Sequence, residues 1–88
     1  LDSMSAPVAL ADDEGAVRSR NAAFTALPMR FPEVAWLAEE PMRLPAGLLS
    51  APELDTEGMT SLTLSGADGT CVLDIYRDAG GYAVIGRA

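Results

Sequence analysis

Three short runs in the C-terminal third constrain the fold more than any other feature of this chain. Leu62 and Leu64 alternate with Ser61, Thr63 and Ser65, while Cys71, Leu73 and Ile75 alternate with Val72, Asp74 and Tyr76. A third run extends from Tyr82 to Arg87, with Ala83 and Ile85 on one side and Tyr82 and Val84 on the other. A period of two belongs to strands, whose successive side chains point to opposite faces. Gly66-Ala67-Asp68-Gly69 and Asp78-Ala79-Gly80-Gly81 separate the runs. Links rich in Gly and Asp reverse a chain tightly, so the three runs predict an antiparallel meander.

The N-terminal third reads strand, turn, strand, helix. Val8 and Leu10 alternate with small residues, and Asp12-Asp13-Glu14-Gly15 supplies a polar reversal in which Gly can take a positive φ. Val17 continues beyond it with Arg18 and Arg20 on the opposite face. Asn21 then precedes Ala22-Ala23-Phe24-Thr25-Ala26-Leu27, in which Phe24 and Leu27 share a helical face. Asn accepts hydrogen bonds from the free N–H groups of a first turn, so Asn21 is the expected N-cap. Between these zones, residues 28–58 hold five of the six prolines. Pro32 fits the first turn of a short helix ending at Glu40 before Pro41, with Phe31, Val34, Leu37 and Ala38 as its buried stripe. Pro45, Gly47 and Pro52 then leave room only for single turns of helix. Two strands, short helices and three more strands give an α+β fold: a five-stranded antiparallel sheet with short helices on one face.

Composition limits the chemistry available. At 88 residues the chain makes one domain, and its 49% apolar and 22% charged residues are ordinary globular values. It contains no His, Lys or Gln, and all six positive charges are Arg. Nucleophile pairs that need His, His-liganded metals or haem, Schiff-base lysines and Walker lysines are therefore excluded. No cofactor and no enzymatic activity are expected. The net charge of −7 repels phosphate backbones and anionic bilayers, so neither nucleic acid nor membrane is an expected partner. Cys71 is the only cysteine, so nothing calls for an oxidising compartment. The chain opens on Leu1 rather than Met, which suggests a piece of a longer protein.

Taken in order, these residues resemble a PAS domain, the small sensory module of bacterial signalling proteins. The family opens with an apolar strand, Asp, two residues, Gly, one residue, an aliphatic, three residues, Asn and then a helix. Val8-Ala9-Leu10-Ala11-Asp12, Gly15, Val17 and Asn21 stand at those offsets, with Phe24 and Leu27 at the helical positions. The meander, with Asp68-Gly69 and Gly80-Gly81 in its turns, fits the family's last three strands. Residues 1–5 resemble the end of the helix that precedes the first strand, and residues 6–88 form the PAS-like domain. The prolines cut up the longer middle helix of the family, and the coupling Asp-Ile-Thr triplet is not visible. The resemblance implies a sensory or dimerisation module of a cytoplasmic signalling protein of the histidine-kinase type. It would relay a signal by packing or dimer geometry, with itself and the adjacent domains of its parent as partners. The alternative is a sensor holding a small ligand between sheet and helices, around Phe24, Leu37, Leu73 and Ile75.

The remaining candidates have plainer explanations. The flavin-reactive cysteine of light-sensing relatives lies in a helical Asn-Cys-Arg motif, whereas Cys71 sits in a strand and is expected to be a buried small hydrophobe. Asp12-Asp13-Glu14 lacks the alternating ligand positions of known divalent-cation loops and is expected to be a solvated turn. Glu39-Glu40 and Glu53/Asp55 belong to a helix end and a loop. Trp36 falls off the predicted stripe, where it would face a partner or a cleft, and core or groove packing is expected rather than ligand stacking. Tyr76 and Tyr82 end neighbouring strands and are expected to pair across them. An apolar outer face of Val72, Tyr76, Tyr82 and Val84 needs a cover. Leu1 and Met4, spaced i, i+3 before Pro7, mark a helix that would lie across it, and a homodimer is expected through this face.

Overall fold

The computed structural model describes residues 6–67 and 69–87. The expected linker helix over residues 1–5, and with it Leu1 and Met4, lies outside the described residues, as does Asp68.

Strands β1 (Val8–Asp12) and β2 (Val17–Arg20) form the first hairpin. Helical turns α1 (Ala22–Thr25), α2 (Leu27–Arg30), a 3₁₀ turn (Ala35–Ala38), α3 (Ala46–Leu49) and α4 (Pro52–Thr56) follow. Strands β3 (Met59–Gly66), β4 (Gly69–Asp78) and β5 (Gly81–Arg87) make the predicted meander. All pairs are antiparallel, and the order across the sheet is β2-β1-β5-β4-β3. The α+β architecture expected from the sequence is thus present. Among the described residues, no helix is long and apolar enough to cross a membrane.

Local chemistry accounts for the first hairpin and the helix after it. Gly15 adopts φ +89°, and Oδ1 of Asp12 accepts the N–H groups of Glu14 and Ala16, both at 3.0 Å, closing the turn. Asn21 caps α1 by accepting the N–H of Phe24 at 2.9 Å. Phe24 and Leu27 are fully buried, as their i, i+3 spacing predicts. They meet Leu37, Leu54, Leu73, Ile75 and Val84 in a single core between the helical turns and the inner face of the sheet. Ala9 and Ala11 supply the inner face of β1, where their small side chains let the helical layer approach.

Two expectations are corrected. The predicted helix from Pro32 to Glu40 is a single 3₁₀ turn, and Ala38 is exposed. Phe31, Val34 and Leu37 recur every three residues, and the N–H groups of Val34 and Leu37 bond to the carbonyls of Phe31 and Val34. That is the repeat of a 3₁₀ helix, and it leaves Ala38 off the buried side. The second correction concerns β5. Asp78 pairs with Gly81 around Ala79-Gly80, so each even-numbered residue of β4 meets an odd-numbered residue of β5. Val84 lies opposite Ile75 and Tyr82 opposite Arg77, which places Val84 and Tyr82 on the inner face, both buried. The outer face carries Ala83 and Ile85 instead. Tyr76 and Tyr82 therefore lie on opposite faces and do not pair. The ring of Tyr82 instead receives the Arg77 guanidinium at 5.7 Å.

Candidate functional site

The outer face of the sheet presents an apolar surface across β1, β5 and β4. Leu10, Ile85 and Tyr76 are 49%, 41% and 38% exposed, while Val8, Ala83 and Val72 are half-buried beside them. Register makes them neighbours. Ile85 lies opposite Val8 on one side and Asp74 on the other, and Ala83 lies between Leu10 and Tyr76. Of the face expected from the sequence, Val72 and Tyr76 belong to this surface and Tyr82 and Val84 do not. Leu10 and Ile85 were missed, although the period of two already put both on a face of their strands. What it does not contain is which face.

A polar cluster interrupts the apolar surface. Asp74 accepts Nε of Arg87 and Oγ of Ser61, each at 2.7 Å, and is only 6% exposed. The Arg87 guanidinium, then the Ser61 hydroxyl, hold its carboxyl below the usual Asp range. Ser61 and Asp74 face each other in the β3–β4 register, and Arg87 reaches over from the end of β5. With all three groups partnered, the cluster has no free acid or base.

The inner residues Phe24, Leu37, Leu73 and Ile75 do come together, at 0–2% exposure and in contact within the core. They pack with the side chains of the helical turns that lie on the sheet. A cleft of about 480 Å³ opens elsewhere, between α2 and the β3–β4 turn, with Met29, Phe31, Pro32 and Ser65 among its lining. Trp36 packs against the core, half-buried, with its indole N–H enclosed and without an acceptor among the described residues. Cys71 is buried on the inner face. Asp12 spends its oxygens on the turn and on Arg18, at 2.9 Å, and the Ala16 N–H first among these holds its carboxyl below the usual range. Among the described residues, no three acidic or thiol groups cluster as metal ligands would.

Comparison of the chain with protein-family models, with curated proteins and with solved structures finds no match.

Proposed function

We propose that this domain is a PAS-like sensory and dimerisation module of a bacterial signal-transduction protein of the histidine-kinase type. It works on the cytoplasmic side as a homodimer and relays a signal by packing and dimer geometry, without chemistry of its own. The observation that carries this reading is the exposed apolar surface of Leu10, Tyr76 and Ile85, on the side of the sheet away from the helices. An exposed apolar face of this kind marks a place where another element docks. In the parent protein that element is an adjacent segment, and its seating on the sheet is what a signal would alter. The turn from Asp12 to Gly15 and the Asn21 cap support the same reading, since they are built as the resemblance implies. The close packing around Phe24, Leu37, Leu73 and Ile75 weighs against the alternative of a ligand held between sheet and helices.

Two measurements test the proposal. Native mass spectrometry of protein purified from its own host should give a dimer without added mass; a stoichiometric small molecule would favour the sensor that binds a ligand. Fused ahead of a histidine-kinase core, the wild-type chain should support autophosphorylation, and Tyr76→Arg with Ile85→Arg should change it. Equal output from both fusions would refute a role for the outer face.

A further inference from the structure

The two edges of the sheet differ in how they are finished. The β2 edge is short, carries Arg18 and Arg20, and follows an irregularity in register between Leu10 and Ala11. Its entry is covered by a second segment. Ala16 bridges Arg43, the N–H of Val17 bonds to the carbonyl of Met42 at 3.0 Å, and the N–H of Leu44 bonds to the carbonyl of Gly15 at 2.8 Å. Charge, irregularity and cover are the usual devices that stop an edge from pairing.

The β3 edge has none of them. Its eight residues, Met59–Gly66, include no charge and no proline, and they pair with β4 in unbroken register from Met59–Tyr76 to Gly66–Gly69. About half the N–H and C=O groups of an edge strand point away from its neighbour. Among the described residues, no backbone or side-chain group bonds to that outward row. Such an edge is a template for another strand.

We propose that β3 pairs antiparallel with β3 of a second copy across a two-fold axis at Leu62, joining the two five-stranded sheets into one. The proposal rests on the homodimer reading above and assigns its interface to the edge, leaving the outer face to the adjacent segment. Self-complementarity selects a second copy as the occupant. Leu62 is half-buried on the inner face at the open edge, and the two-fold sets it against its own counterpart. Ser61 then meets Thr63, so polar side chains oppose one another on the outer face, while on the inner face Leu62 meets Leu62 and Thr60, whose hydroxyl donates to Glu53, meets Leu64. No charged pair arises anywhere along the strand. Isologous two-fold contacts of this kind are the commonest form of self-association. Each copy carries −7, so the dimer forms against a general repulsion that salt screens.

The test is sedimentation equilibrium of the chain together with concentration-dependent hydrogen–deuterium exchange. A monomer–dimer equilibrium that tightens with salt is expected, with amides of β3 exchanging more slowly as concentration rises. Leu62→Lys sets two ammonium groups across the axis and should weaken the dimer at least tenfold, while the lysine stem still covers the core. If that variant fails to fold, exchange in the wild type alone decides. A dimer that survives Leu62→Lys, or β3 exchange that ignores concentration, overturns the edge assignment but not the homodimer. Slowing confined to a peptide-bound state would show instead that the edge serves an extended partner, which also overturns pairing between copies. A monomer at every concentration overturns both readings.

Discussion

Asn21 holds Val8 from thirteen residues away: its Oδ1 accepts the Val8 N–H at 3.0 Å while also accepting the N–H of Phe24. Its Nδ2 donates to the carbonyl of Ala6 at 2.9 Å. One side-chain amide thus closes the start of α1 and fastens the entry of β1. An N-cap alone contributes about 1 kcal/mol, and each further hydrogen bond adds about 1 kcal/mol. Asn21→Ala should therefore cost about 2–3 kcal/mol in urea denaturation, and Asn21→Asp, which keeps only the acceptor, should cost less. A loss near that of a simple cap would mean that the tie to β1 contributes nothing.

The turn between β4 and β5 separates two adjacent glycines by their surroundings. A Cβ on Gly81 would fall on the carbonyl oxygen of Ala11, because Gly81 pairs closely with Asp12 of β1, whereas a Cβ on Gly80 meets nothing within 4 Å. Gly81→Ala should cost more than about 4 kcal/mol or prevent folding, and Gly80→Ala should stay within about 0.5 kcal/mol. Thermal melts of the two proteins decide the matter, and equal effects would place the turn elsewhere.

The orientation of β5 is testable in the same way. Val84 has no exposed surface and Ile85 is 41% exposed. Val84→Ala should lose about 2–3 kcal/mol through the cavity it leaves, and Ile85→Ala under about 1 kcal/mol. The reverse order of effects would restore the opposite face assignment.

Acid should act through Asp74. Its folded-state carboxyl lies below the ordinary value of 3.8, held there by Arg87 and Ser61. The unfolded state therefore takes up the proton first. The contribution of this group is complete above 3.8 and is lost as pH falls from there through the lower folded value. Asp74→Asn should flatten that part of the stability–pH curve and leave neutral behaviour less dependent on acid. Matching acid slopes in the two proteins would exclude Asp74 as a source.

Much of the sheet was readable in the chain because alternation and turn chemistry act locally. Gly15, Asn21 and the two C-terminal turns each have a short-range cause, and the strands follow from them. The face of β5 is not legible in its sequence because alternation is symmetric between faces, and the Asp78–Gly81 pairing breaks that symmetry. A longer helix is expected where the 3₁₀ turn stands because Pro32, an apolar stripe and Pro41 suit either form; the exact spacing of three between Phe31, Val34 and Leu37 is the signal that favours the tighter turn. The Asp74–Arg87 contact, thirteen residues apart, depends on how β4 and β5 align and has no signature within either strand.

The position of β5 in the sheet dictates an order of assembly. Among the described strands it comes last in sequence, yet it lies between β1 and β4 and joins the two halves. Until residues 81–87 are made and paired, β1–β2 and β3–β4 are two hairpins, each with an unpaired inner edge. Loop closure between β1 and β5 spans most of the chain, which slows the step that completes the core. Before β5 is in place the two hairpins thus expose edges that the finished sheet conceals, and a chain cut before Gly81 would leave them open for good.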